Sequence, residues 1–192
     1  MAASTSLTTR AALKLYLGID AADSDHDDLL DSLIAYASER IESHCRRAFA
    51  SAEVTEYLDG PGTSRLVLAR RPVTALAGVY EDADRDFGED TVIPDDELAL
   101  YPETGVVERV NGIFPRGTRN VKVEYTGGYA AIPDDVAIAC VKLAAAWYAH
   151  ARTGADGVAS ETLGGYSAEY SARALPADVE GALAPYRDHT AA

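Results

Sequence analysis

Asp82, Asp84 and Asp86 in "DADRDFGED" stand at the first, third and fifth places of a calcium loop, and oxygen donors at that spacing suit a hard divalent cation. The match stops there. Phe87 occupies the sixth place, where the sharp turn needs glycine, and Ile93 the twelfth, where a bidentate glutamate belongs. Strand patterns, not helices, flank the segment, so it reads as a solvated acidic hairpin loop that holds no metal. A calcium-binding module remains the alternative reading of this stretch.

Other segments invite chemistry and fall short. Gly127-Gly128 turns the chain between a strand and a helix, where phosphates are often held, but the spacing Gly-x-x-x-x-Gly-Lys-Ser/Thr is absent and no lysine follows. "DGPGTSR" at 59–65 joins two strands and precedes no helix N-terminus, so it reads as a hairpin turn. "GYSAE" at 165–169 approaches the nucleophile elbow of a small hydrolase, yet Glu169 stands where the second glycine belongs, and Ser167 is given no catalytic role. His26, His44, His150 and His189 show no metal-ligand spacing and read as surface histidines near helix ends or the tail. Cys45 and Cys140 are far apart on predicted helices and read as core thiols. No catalytic, cofactor or metal constellation is assembled.

The elements that would have to position such residues are legible in the periodicity. Thr8 or Thr9 caps a helix over about 8–17 carrying Leu13, Leu15, Tyr16 and Leu17, and Gly18 stops it. "DAADSDHDD" supplies a linker with Ser24 as candidate cap of a helix over about 25–48, whose Leu30, Leu33, Ile34, Ala37, Ile41, Cys45 and Ala48 recur at three- and four-residue steps. Arg46 and Arg47 complement its C-terminal end. From about 53 to 128 the period drops to two. "EVTEYLD", "RLVLA", "VTALAGVY", "ELALY", "GVVERV" and "NVKVEYT" are strands of an antiparallel sheet, because parallel crossovers would need helices between them. Pro133 opens a third helix, about 133–153, with Val136, Cys140, Leu143 and Trp147 on one face and Gly154 as its stop. The stretch of about 155–175 is small, polar and glycine-rich and reads as a mobile arm, and a last helix covers about 176–184. The fold class is α+β: a helical bundle from the N- and C-terminal helices, with a central antiparallel β subdomain, in a single domain.

Composition narrows the function. The chain has 192 residues, 47% of them hydrophobic, enough for one substantial core. Its 31 acidic against 17 basic side chains give a net charge of −14, which repels a phosphate backbone and argues against a nucleic-acid reader. No signal segment or apolar run long enough for a membrane span is visible, so a soluble protein of a reducing cytoplasm is expected.

The order "LTTRAALKLYLGID", "DDLLDSLIAYASERIESHCRRAF", "EYLDGPGTSRLVLARRPVTALAGV", "VKVEYTGGYAAIPDDVAIACVKLAAAWY", "SETLGGYSAEYS" and "APYR" resembles the head-to-tail connector family of tailed bacteriophages and gene transfer agents, also called adaptor or head completion proteins. The resemblance covers the chain from Leu7 to about Arg187. It implies a structural protein of the virion neck, made in the host cytoplasm and without cofactor. Such a protein forms a dodecameric ring under the portal protein, carries the stopper or tail completion protein, and lets double-stranded DNA pass without specific binding. Another neck component, a stopper or tail completion protein, is the alternative. The resemblance also implies that the C-terminal region meets the portal or a neighbouring subunit. Leu163, Tyr166, Tyr170, Leu175, Leu183 and Tyr186 are the candidate interface residues.

Overall fold

The computed structural model describes residues 6–153, 160–163, 166–169 and 175–188. It divides the chain into two compact units, one helical (Met1–Arg46 with Ile132–Ala192) and one of β structure (Arg47–Ala131).

In the helical unit, α1 spans Arg10–Leu17. The hydroxyl of Thr9 accepts the N–H of Ala12 at 3.2 Å, and Gly18 ends the helix in the left-handed region. Only Leu13 and the stem of Lys14 are buried on it, while Leu15 and Tyr16 face outwards. The next helix, α2, spans Asp27–Cys45, shorter at both ends than the expected 25–48. Ser24 is not its cap: His26 stands there without a side-chain bond. Lys14 explains the shift. Its ammonium donates to the carbonyls of Asp23 at 2.6 Å and Ala21 at 3.5 Å and pairs with Asp27 at 2.5 Å. The carboxylates of Asp20 and Asp23 meanwhile take the N–H groups of Ala22 and Asp25, so the linker is held in turns that a helix would break. At the other end Arg46 adopts φ 54° and closes the helix, so Ala48 lies outside it.

The helix α3 spans Asp134–Thr153 and packs on α1, α2 and α4. Residues Leu30, Ile34, Ala37 and Ile41 of α2 and Val136, Cys140, Leu143 and Ala144 of α3 are buried, at the helical spacing read from the sequence. At the seam Ser38 Oγ donates to Ile34 O at 2.7 Å, accepts the N–H of Leu7 at 3.0 Å and lies 3.5 Å from Cys140 Sγ. These contacts satisfy the buried Ser38 hydroxyl, whereas the buried hydroxyl of Tyr148 has no hydrogen-bond partner among the described residues. Trp147, expected in the core, is only half-buried; its neighbour Tyr148 takes the interior place at 4% exposure. After α3, β7 (Ser160–Leu163) and β8 (Tyr166–Glu169) pair antiparallel within the stretch read as a mobile arm. The last helix, α4, spans Ala177–Leu183 and buries Val179 and Leu183. Lys142 of α3 pairs with its Asp178 at 2.7 Å, and the N–H of Asp188 donates to Cys45 O at 2.9 Å.

In the β unit, β1 (Ala52–Gly60), β6 (Gly117–Gly127) and β3 (Val73–Glu81) form one antiparallel sheet in the order β1-β6-β3. The second sheet joins β2 (Arg65–Val67), β5 (Val106–Arg109) and β4 (Leu98–Tyr101) in the order β2-β5-β4. All six strand patterns of the sequence are present. Val121, Val123 and Tyr125 of β6 alternate inwards and share a core with Leu66, Val79, Val107 and Phe114, so both sheets close over the same apolar interior. The 59–65 segment is not a hairpin turn. It carries the chain from the first sheet to the second, because β1 pairs with β6 and β2 with β5.

Replacing Leu30, which has 0% exposure, with alanine is expected to destabilise the protein by about 2–5 kcal/mol. Replacing its neighbour Leu29, 38% exposed, should change stability by about 0.5 kcal/mol or less. Urea unfolding of the two variants checks this, and equal losses would contradict the assigned face of α2.

Candidate functional site

Each segment singled out for chemistry is occupied by the scaffold. Asp82 accepts the N–H groups of Asp84 at 2.8 Å, Asp86 at 2.8 Å and Phe87 at 2.9 Å. Those bonds, from Phe87 first and Asp84 next, hold its carboxyl below the usual aspartate range. The loop bends through Arg85 and Phe87 at positive φ, and an isolated bridge between Tyr80 and Val92 closes it before the chain crosses to β4. Asp82 therefore organises its own loop. Among the described residues no three His, Cys, Asp or Glu side chains converge as a metal would require.

The glycine corner is a joint. A Cβ at Gly128, whose φ is 105°, would lie 2.3 Å from Ala50 O, and one at Gly127 would lie 2.5 Å from Arg70 O. The backbones pass too close for a side chain. The N–H of Gly128 donates to Pro72 O at 2.8 Å, that of Tyr129 to Phe49 O at 2.7 Å, and that of Ser51 to Tyr129 O at 3.1 Å. Two arginines complete the clamp. The guanidinium of Arg70 donates to Ala50 O, and that of Arg47 donates to Arg71 O and lies 5.4 Å from the Phe49 ring centroid and 5.5 Å from that of Tyr129. Arg47, expected to serve the end of α2, works instead inside the β unit. Tyr125 joins the same region: its hydroxyl donates to Glu56 and accepts the N–H of Arg70 at 3.0 Å. Burial raises its pKa, with the Glu56 bond acting in the same direction.

Ser167 lies in β8 opposite Thr162, mid-ladder and not at a strand-to-helix elbow. Both cysteines are buried, and burial pushes the Cys140 thiol up to about 11. His44 departs from the surface reading. Its Nε2 is buried without a hydrogen-bond partner, and desolvation, followed by the charge of Arg187, holds its pKa below the ordinary value. His189 and Tyr170 lie outside the described residues. Of the other interface candidates, Leu163 and Tyr166 are the register pair at the end of the β7–β8 ladder, and Leu175 and Tyr186 are half-buried. Leu183 has 0% exposure and packs inside its own helical unit.

What the surface does carry is apolar and aromatic. Leu29, Leu33 and Tyr36 lie along one outer stripe of α2, and the Tyr36 ring packs on Trp147 at 4.7 Å between centroids. Sequence reasoning missed this stripe. Its signal was a second helical register, 29/33/36, beside the buried 30/34/37/41. On the second sheet, Val67, Val106 and Tyr101 stand in register across three strands, with Val67 and Tyr101 exposed.

Helices in one unit and two antiparallel sheets in the other make this an α+β protein. It belongs to the head completion protein family, whose model matches residues 6–189. Solved structures share the fold. A chain in the neck of an empty gene transfer agent particle, computed with C6 symmetry, superposes with a TM-score of 0.63 at 20% identity over 97% of this chain and 93% of that one. One from the neck of the native particle, computed with C12 symmetry, gives 0.60 at 23% over 92% and 86%. One from the virion of the native particle gives 0.63 at 22% over 96% and 89%. No curated protein matches the chain in sequence.

Two outcomes follow from the geometry. With the Asp82 carboxyl depressed in the folded loop, the order it confers is complete above the pKa of a free aspartate and is lost as pH falls through the lowered value. Asp82→Ala should therefore speed hydrogen exchange at the Asp84, Asp86 and Phe87 amides at neutral pH, while millimolar calcium leaves the wild-type melting temperature unchanged. Exchange that ignores the substitution, or a calcium-dependent rise in melting temperature, would overturn the self-capped loop. Gly128→Ala should destabilise the chain by more than about 1 kcal/mol in urea unfolding, since both its φ and its space exclude a Cβ.

Proposed function

We propose that this protein is a ring-forming adaptor of the virion neck, joining the portal of a capsid to the stopper or tail and extending the DNA channel. The observation that carries this is the family match, which runs through both units from residue 6 to 189. The likeness of the whole fold to chains from gene transfer agent necks supports it. The function needs no turnover and no cofactor. It needs surfaces that pair and a wall that does not hold DNA, and a net charge of −14 keeps electrostatic affinity for phosphates low.

The C-terminal region is the proposed contact with the portal or the next subunit. Leu163, Tyr166, Tyr170, Leu175 and Tyr186 are its anchors. Leu183 contributes from inside, by fixing α4 to the protomer, since its side chain is already buried there.

The test is electron microscopy of the purified protein mixed with its portal. Rings with the portal's symmetry seated on the portal are expected. A protein that stays as single protomers beside an unoccupied portal would contradict the proposal.

A further inference from the structure

The C-terminal segment is fastened to the end of α2 through its backbone. After α4 the chain makes a short turn over Ala184–Tyr186, and the N–H of Asp188 then donates to Cys45 O at 2.9 Å. Cys45 O is one of the carbonyls left over at the end of α2, so the segment closes a helix end that water would otherwise serve. The same bond sets Arg187 beside His44, the residue before Cys45.

His44 is poorly prepared for a proton in that place. Its Nε2 is buried and has no hydrogen-bond partner among the described residues, so an imidazolium there would carry a donor without an acceptor. The charges around it are mixed. Arg40 stands one turn earlier on α2, Arg187 lies on the segment, and Glu180 of α4 brings the opposite charge. α3 runs antiparallel to α2, since Ser38 meets Cys140 and His26 meets Tyr148, and so its first-turn carboxylates Asp134 and Asp135 come to this end as well. Asp135 accepts from the Tyr186 hydroxyl at 3.5 Å, and Asp188 follows Arg187 on the segment itself. Burial first, and Arg187 next, outweigh these acids and hold the imidazole below its ordinary value.

We propose that His44 is a proton-sensitive lock for the C-terminal segment: residues 184–188 stay docked on the end of α2 while the imidazole is neutral and come away when it is protonated. Undocking removes Arg187 from the new cation and lets water reach Nε2. The sign follows from linkage. With His44 lowered in the docked state and at its ordinary 6.5 once undocked, docking is fully favoured above 6.5 and is lost as pH falls through the lowered value. Tyr186 rides on this segment, so the lock also sets whether that proposed anchor stays on its own protomer. This consequence rests on the adaptor reading, whereas the lock does not.

The test follows the Asp188 amide of the full chain by hydrogen exchange, corrected for the intrinsic rate, from about pH 7.5 to about pH 5, where imidazoles titrate and ordinary carboxylates stay mostly ionised. Protection should fall several-fold across the titration of His44, read from its ring C–H signals by NMR, while amides of the α2–α3 seam keep theirs. His44→Gln should hold Asp188 protection nearly constant over the range. A loss as steep in that variant, a loss shared equally by the seam, or wild-type protection that stays flat while His44 titrates would overturn the lock. Arg187→Gln supplies a second reading that does not depend on the glutamine at 44, because it leaves the backbone bond in place. His44 should then titrate at higher pH, and an unmoved titration would overturn the juxtaposition on which the lock depends. None of these outcomes touches the neck reading, which fails only if the wild-type chain forms no ring on its portal.

Discussion

Between α2 and α3 the chain leaves the helical unit for the whole of Arg47–Ala131, and the two helices can form one seam only if that excursion closes on itself. An open loop of that length would cost conformational entropy with nothing to offset it. Closure comes from a short set of backbone bonds: Ala50 bridges Tyr129, Gly128 reaches Pro72, and the guanidinium groups of Arg47 and Arg70 hold the carbonyls around them. The stacked rings of Phe49 and Tyr129, 6.2 Å apart, lie beneath the Arg47 cation. The glycine pair that resembles a phosphate turn in sequence is there because two backbones cross where no Cβ fits.

Within each unit several polar side chains are tied to their own surroundings. Ser38 is saturated in the helical seam, Asp82 caps its own loop, and Arg109 of β5 pairs with Glu81 at 2.5 Å and Glu97 at 3.4 Å, binding the two sheets' connecting loops. The two acids bracket the crossing from the first sheet to the second. Charged side chains committed in this way hold loops and linkers, while Leu29, Tyr36 and Tyr101 stay exposed among the surface acids.

The periodic elements were legible because each buries one face. The 30/34/37/41 stripe, the alternation of Val121, Val123 and Tyr125, and the Thr9 cap all follow from local rules that tertiary contacts leave intact. The failures have one cause, contacts from afar. Ser24 loses its cap because Lys14 organises the linker, and Arg47 turns to the β unit because the chain enters the joint there. The 59–65 turn is no hairpin because strand pairing is set by β5 and β6, distant in sequence. Trp147 reads as core by period, but the seam's edge lets it rest on Tyr36, and no single-helix pattern shows where a neighbouring helix stops. The outer stripe of α2 was visible as a second register, overshadowed by the stronger buried one.

The central proposal is that the chain is a fixed, ring-numbered part of a particle neck. Its most direct test is the copy number of this protein per purified particle, measured by quantitative mass spectrometry against the portal subunit. The account predicts one copy per portal subunit, twelve where the neck follows the C12 symmetry of the native gene transfer agent structure whose fold it shares. Absence from purified particles, or a number unrelated to the portal's, would contradict it.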